Sequence, residues 1–590
     1  MSTQVKNDEK ITDAFGAMGN PSAEMMTKLN RFQTILNGQN QNNKRAGARF
    51  GPDVLKMLPN KITKEDGFNV AKVLPGPMWK TNHEFEKVVE QIGIGAVTGR
   101  SGTNHIRWMK IQDEIAKDDS VLAQDKRSIN FVIPRVMISD SELPFLCNCV
   151  IVCNPEDCAR LAKNHVIKQP NFTPILFQSL IATTDADHWK KQRNHLADVF
   201  LPMKSLKNIF NVSRDRAEKC ADIMGELMSK QGKYGVQVHE FFLHEAQAQL
   251  QMALFGLDED YMEKTNKKIR DGFAGINPDV NYLRDVTLEM MRKVGENPNY
   301  ATASDPEVSR GEKDIFGPIS KAVYNASKEL DLNLPDQFGN MMLILFAGHD
   351  TTAHTMTWFT YEMARNPDIQ QRIHQECDRF FKELNGRKMV YEDCEKLPFL
   401  TKCVMETLRL WPAVANGTFR ELQYDDFVIG PNGKEVMLPK GTYVQVQSIL
   451  RHRSEKLWGP DALKFNPDRD WGEDEIWDNG HFRGYNPSSK RFSPFTYAPR
   501  DCLGKNFAQM EMRTILANVF YRYHFTLSEP YAKFDEKTAG FPLENLQATV
   551  GPRDITPEGL EATKRRFDNG QTPQMAMYLK VNARQPSSSL

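Results

Sequence analysis

Cys502 sits where a thiol could ligate a metal. In FSPFTYAPRDCLGKNFAQMEMRTILANVF, residues 492–520, a turn-rich stretch delivers this cysteine just before a helix expected to start near Gly504. A thiolate placed there gains from the positive end of the helix and from its unpaired N–H groups, both of which lower a cysteine's pKa. Gly504 lets a flat, bulky group approach the backbone, Phe495 can wall off the sulfur from water, and Arg500 can meet an anion nearby.

Two other constellations carry polar chemistry inside apolar text. From Asp336 to the Asn366-Pro367 stop the pattern predicts one helix. At 1.5 Å per residue it would be about 45 Å long and cross a whole domain. Its apolar run MMLILF gives way abruptly to Ala347-Gly348-His349-Asp350-Thr351-Thr352. Two readings stand for this break. It is a kinked core helix whose threonine hydroxyls bond back to carbonyls, or Gly348 opens room for a small ligand while Asp350 and Thr351 handle protons beside it. In LPFLTKCVMETLRLWP, a short helix bounded by Pro398 and Pro412, Glu406 and Arg409 are three apart and share a face. Flanking Val404, Met405, Leu408 and Leu410 argue that the pair is buried and needs a further partner, for which Arg469 in FNPDRDW is the candidate.

The elements that must position these residues follow from pattern and composition. The chain has 590 residues, 40% hydrophobic and 26% charged, so a large core is expected and whole-chain disorder is excluded. Length alone suggests about four domains. Lys+Arg 76 against Asp+Glu 76 leaves no net charge and no global field for nucleic acid or an anionic membrane. Nine cysteines, an odd number, are too sparse for a disulfide scaffold and favour a reducing compartment. Cys147, Cys149, Cys153 and Cys158 lack the paired spacing of a zinc site, and the run CVIVC reads as a buried strand, so these are expected to be core thiols. Asn154 then caps a helix with Pro155 at its first position. Helical periodicity dominates 187–395, and turn-punctuated strands follow between 419 and 450. Residues 1–60 read as a partly disordered extension, with a Leu74-Pro75-Gly76-Pro77 turn at the entry to the folded body. No stretch approaches eighteen consecutive apolar residues and the opening residues lack a signal-peptide core, so neither secretion nor a transmembrane helix is expected.

The Cys502 loop resembles the haem-binding signature of the cytochrome P450 family, in which a cysteine thiolate is the proximal iron ligand. Four further segments agree in order and separation. Ala347-Gly348-x-Asp350-Thr351 looks like the oxygen-activation motif of the long distal helix. Glu406-x-x-Arg409 with Arg469 is similar to the family's structural ion-pair triad. Trp189-x-x-x-Arg193 matches the helix whose Trp and Arg reach the haem propionates, and His452-Arg453 resembles the propionate-proximal His-Arg. Three departures stand out. Thr496 and Ala498 occupy the two earlier small or glycine positions of the loop, with strain expected if Ala498 takes a positive φ, although Pro499 biases it toward an extended conformation instead. Asp185 replaces a glycine ahead of Trp189, and the membrane anchor usual in eukaryotic members is not visible.

The resemblance covers about 70 to 590 and implies a mainly α fold with small β-sheets, holding haem b (iron protoporphyrin IX) between the long distal helix and the Cys502 loop. It replaces the four-domain estimate with a 1–60 extension and one domain over 61–590. It implies that Trp189, Arg193, Gly348, His452, Phe495, Arg500, Cys502 and Gly504 bind cofactor, with Cys502 on the metal, that Asp350 and Thr351 act on protons, and that Glu406, Arg409 and Arg469 are structural. The implied activity is insertion of one oxygen atom of O2 into a small organic substrate, by hydroxylation or epoxidation. Phe172, Phe177, Phe346, Val414 and Phe419 stand at or near family pocket positions and suggest an apolar one. With 88 residues after Cys502, no fused reductase is expected, and electrons come from a separate reductase or ferredoxin. Members that rearrange peroxides or dehydrate without O2, and a non-enzymatic haem sensor, are the alternatives; retention of Asp350 and Thr351 argues against both. The expected location is intracellular, cytoplasmic or peripheral to the endoplasmic reticulum, with no nucleic-acid partner and at most peripheral membrane contact.

Overall fold

The apolar run of the CVIVC segment is buried on both faces because it lies inside a sheet covered on both sides. The structure, a computed structural model, describes residues 125–138, 145–172, 176–200, 203–273, 282–296, 334–472, 488–538, 551–568 and 574–585, with Glu475 and scattered positions between 108 and 119. Strands β1 (Phe131–Ile138) and β2 (Phe145–Val152) pair antiparallel. Helix α1 (Pro155–Asn164) follows, and the Asn154 side chain accepts from the N–H groups of Glu156 and Asp157, as the cap reading requires. Val150 and Val152 pack with Cys158, Ala159, Leu161 and Ala162 of α1, while Cys149, Ile151 and Cys153 face a second cluster containing Trp108 and Tyr443. The described thiols of this segment, Cys149, Cys153 and Cys158, are free and buried, and no metal-binding group of side chains occurs among the described residues. Burial pushes the Cys149 thiol up to about 12.

Helical text follows as expected, through α2 (Ala186–Phe200), α3 (Met203–Ser229), a two-residue strand β3 (Val236–Gln237), α4 (Val238–Gln249), α5 (Glu259–Phe273), α6 (Tyr282–Glu296), α7 (Leu334–Arg365), α8 (Pro367–Leu384) and α9 (Pro398–Leu410). A π-helical turn, Leu250–Leu254, extends α4. Asp185, at the glycine position, accepts the N–H of His188 at 2.7 Å and so caps α2. The long α7 lies against α4, α6 and α9 and joins the largest buried cluster, which runs from Leu176 to Val581.

Strands β4 (Thr418–Glu421), β5 (Asp426–Ile429), β6 (Glu435–Leu438) and β7 (Tyr443–Val446) fill the turn-punctuated stretch, although its end, Ile449–His452, is a single helical turn. The four-stranded sheet has the order β1-β2-β7-β4, with β2 and β7 parallel and Cys149 opposite Tyr443. After the Cys502 loop come α10 (Lys505–Arg522), β8 (Tyr523–Leu527), α11 (Glu529–Thr538), α12 (Pro557–Asp568) and β9 (Tyr578–Ala583), with β9 between β3 and β8. The architecture is mainly α with small sheets, as expected. No helix among the described residues is long and apolar enough to cross a membrane. The 1–60 extension and the Leu74-Pro75-Gly76-Pro77 turn lie outside the described residues.

Candidate active site

The Cys502 loop ends where the sequence predicts, with Gly504 as the N-cap of α10. Cys502 is the one exposed thiol among the described cysteines, and its N–H donates to the Phe495 carbonyl at 2.9 Å. A Cβ built on Gly504 meets nothing nearer than a Phe200 ring carbon at 4.0 Å, so the floor beside the sulfur is open to a flat group. One expectation is corrected. The thiol is pushed up, not down, because burial of the surrounding recess outweighs Lys505, the Gly504 N–H and Arg193. A sulfur held this way becomes a thiolate when a cation sits on it, which suits a metal ligand better than a free nucleophile. Ala498, ahead of Pro499, does not take a positive φ, and Thr496 does, at 60°. A β-branched residue there costs about 1–2 kcal/mol.

Cations gather beside Cys502. Arg500 is buried, donates to the Leu180 carbonyl at 3.4 Å and lies 4.7 Å over the Trp189 ring. Arg193 donates to the Asp501 carbonyl at 2.7 Å and pairs with its carboxylate, whose other oxygen takes Lys505 at 2.8 Å. Sequence reasoning missed two members, Lys168 and Arg420. Arg420 is fully buried on β4, reaching only Thr418 Oγ1 at 2.7 Å and the carbonyls of Phe419 and Ala162 at 2.8 and 3.5 Å. Its Nε has no partner among the described residues. Burial pushes Arg420 down to about 9. Arg500 falls to about 8, through burial and then through Arg420 and Arg193. Lys168 is held well below the usual lysine range by burial, then by Arg500 and Arg420. Mutually repelling buried cations without a carboxylate of their own fit a group that brings its own anions. The propionates of a haem above Cys502 meet that requirement.

His452 does not join them. It is buried on the Glu406 side, where its Nε2 accepts the Ser493 N–H at 3.1 Å and its carbonyl accepts Arg409 at 2.6 Å. Arg453 donates to the Leu410 carbonyl at 2.8 Å. The bonds they make lie within the chain, on the Glu406 side and not with Arg420 and Arg500, while His452 Nδ1 has no partner among the described residues. Glu406 takes Arg409 through both oxygens, at 2.7 and 2.8 Å, and Arg469 at 2.9 Å. Arg469 also reaches Asp461 at 2.8 Å, so the expected triad is present and extended.

On α7, Thr351 Oγ1 donates to the Ala347 carbonyl at 2.9 Å, and Thr355, Thr357 and Thr360 bond back in the same way. Asp350 is partly exposed beside it. Gly348 is corrected: a Cβ there would lie 2.5 Å from Leu250 Cδ2, so its missing side chain admits the π-helical turn rather than a ligand. Phe177 belongs to the core, 3% exposed and edge-on to Phe338 at 5.2 Å. Phe172 and Phe346 are partly buried against the same core, Phe419 is partly buried and Val414 is exposed.

The sequence model of the cytochrome P450 family matches residues 280–550. Among curated proteins, the chain is 33% identical over 276 residues to "Cytochrome P450 monooxygenase sphH" of Aspergillus fumigatus, covering 46% of this chain and 45% of that one. It is 33% identical over 210 residues to "Cytokinin hydroxylase" of Arabidopsis thaliana, covering 34% and 37%. "Cytochrome P450 714A2", also of Arabidopsis thaliana, is 26% identical over 400 residues, 62% of this chain and 70% of that one. The chain thus spans less than half the length of the first two. The matched segment holds α7, the Glu406 triad and the Cys502 loop, and over those residues, beside a recess suited to an anionic, flat metal complex, the chain is similar to the cytochrome P450 family.

Proposed function

We propose that the protein is a haem-dependent monooxygenase that inserts one oxygen atom of O2 into a small, apolar organic substrate, using haem b. Similarity to the family over residues 280–550 implies a haem-iron cofactor, and its chemistry when bound would be the activation of O2 for C–H hydroxylation or alkene epoxidation. Cys502 supplies the sulfur ligand, and Lys168, Arg420 and Arg500, with Trp189 under Arg500, receive the carboxylates. Gly504 leaves the floor clear for the ring plane.

The observation that carries the reading is the acid–alcohol pair on α7. Thr351 uses its proton on the Ala347 carbonyl, so its oxygen is free to accept from an incoming group. Asp350, beside it, can take a proton from solvent and pass it on. A carrier or a rearranging enzyme has no use for such a pair. Electrons are proposed to arrive from a separate donor protein docking on the proximal surface near Cys502. An intracellular location, cytoplasmic or peripheral to the endoplasmic reticulum, is proposed from the family resemblance and is checked by fractionation of expressing cells.

Two measurements test the reading. The reduced carbon-monoxide difference spectrum is expected to show the red-shifted band of a thiolate haem, lost in Cys502→Ala. Product analysis under labelled O2 with a surrogate reductase is expected to find one labelled atom; turnover without label would eliminate monooxygenation. Thr351→Ala keeps the cofactor but diverts oxygen toward peroxide, and unchanged coupling would show that Thr351 holds no proton.

A further inference from the structure

Asp350 has a histidine at its back. One turn along α7, His354 Nδ1 lies 3.5 Å from Asp350 Oδ2. The ring of His239, from α4, stacks on His354 with centroids 5.1 Å apart and planes 7° from parallel. The two rings are 1% and 3% exposed, yet neither nitrogen of His354 nor Nε2 of His239 has a hydrogen-bond partner among the described residues. An unmade hydrogen bond at such depth costs about 1–3 kcal/mol, so a site selected for packing alone would hold phenylalanine or leucine.

The surroundings give the pair a direction. From α7, Asp350 and His349 face it; from α5, Arg270 does. Arg270 is held by Asn266 Oδ1 at 2.8 Å and, bidentate, by Glu240 at 3.0 and 2.9 Å. Glu240 is the residue after His239, and its side chain is 45% exposed. Polar groups therefore run from a surface carboxylate, past Arg270, through two stacked imidazoles to Asp350. On the far side Gly551 closes on the ring: a Cβ there would lie 2.5 Å from His354 Nε2. Burial lowers the affinity of both rings for a second proton, with His354 and Arg270 adding to this at His239, while Asp350 partly opposes it at His354. A neutral imidazole donates at one nitrogen and accepts at the other, which is what a proton carrier requires.

We propose that His354, backed by His239, restores the proton of Asp350. Nδ1–H of His354 gives its proton to the Asp350 carboxylate as Nε2 takes one from a hydronium ion delivered through solvent, so the ring stays neutral and no hydroxide is left behind. A return tautomerisation through water resets it. The apo distance of 3.5 Å becomes a hydrogen bond by a small turn of the ring. His354 is a positioning residue acting through Asp350, and the role rests on the monooxygenase reading.

The test has one arm that needs no turnover. In full-length, haem-loaded protein carrying ring-labelled histidine, the His354 and His239 signals are assigned by their loss in His354→Gln and His239→Gln. Asp350→Asn is expected to move the His354 ring signals and lower its titration midpoint; an unmoved His354 overturns the proposal. In the second arm, His354→Gln raises the peroxide-to-product ratio on the order of tenfold, but adds nothing in an Asp350→Asn background. His239→Gln raises it less, and serves if His354→Gln does not hold haem. An unchanged ratio, or additive effects in the double variant, overturns the relay. Absence of the thiolate-haem band or of labelled product instead sinks the monooxygenase reading, and the ring signals alone then decide whether Asp350 and His354 are coupled.

Discussion

Arg409 and Arg420 are both fully buried, eleven residues apart, and the chain treats them in opposite ways. Arg409 is met by both oxygens of Glu406 and by the carbonyls of His452 and Ala462. Arg420 is met by a hydroxyl and carbonyls, and it repels the neighbouring cations Arg500 and Lys168. A buried charge neutralised within the chain is architecture, because its partner folds with it. One left among like charges weakens the fold unless an anion comes from outside, so such a site is kept for a ligand.

The largest expected effect lies on the architectural side. Glu406→Ala leaves Arg409 buried without a carboxylate, and Arg469 with Asp461 alone, and is expected to destabilise by about 3–5 kcal/mol. Soluble, folded protein should be lost whether or not haem is supplied, as read by circular dichroism and urea denaturation. An unchanged urea midpoint would show that the carbonyls around Arg409 suffice and would break the distinction drawn here.

Arg420→Leu is the mirror experiment. Removing a cation that is repelled by its neighbours should leave stability without haem unchanged or raised. The holoprotein should lose a charge-assisted bond worth about 1.5–3 kcal/mol, or roughly ten- to a hundredfold in haem retention. Transfer of haem to an acceptor globin measures the second effect and urea denaturation without haem the first. If the variant instead falls apart without haem and retains it normally once folded, Arg420 is architecture too.

The sequence made one side of this contrast legible and not the other. Glu406 and Arg409 share a helix whose prolines mark both ends, and Cys502 announces itself by the loop and by Gly504, so local spacing suffices. Lys168 and Arg420 are single cations about 250 residues apart, brought together where the Glu421 N–H of β4 donates to the Ile167 carbonyl at 2.9 Å. A signal did exist for Arg420: in the alternation of β4, Thr418 and Arg420 face inward and Phe419 and Glu421 only partly so, the reverse of an ordinary half-buried strand. Gly348 failed as a ligand-room reading for a similar reason. The group that fills its space, Leu250, lies in a π-helical turn a hundred residues earlier, and no local pattern near Gly348 points to it. A His-Arg pair such as His452-Arg453 looks the same in sequence whether its partners are propionates or backbone.

Lys168 gives the smallest effect and the finest test of which side a residue belongs to. Its amine is held well below the usual range by burial and by Arg500 and Arg420. The sign follows from proton binding. Above the ordinary lysine pKa neither folded nor unfolded protein holds the extra proton, and Lys168 imposes no penalty. As pH falls below that value the unfolded chain binds the proton first, so stability falls until the lower, folded-state value is passed. Lys168→Met should therefore exceed the wild type in urea midpoint at pH 7 by more than at pH 10, when both lack haem. Haem should remove the difference at pH 7, because its carboxylates favour the charged amine. Equal gaps at both pH values would mean that Lys168 stays protonated throughout, with its charge already neutralised inside the chain, and would move it to the side of Arg409.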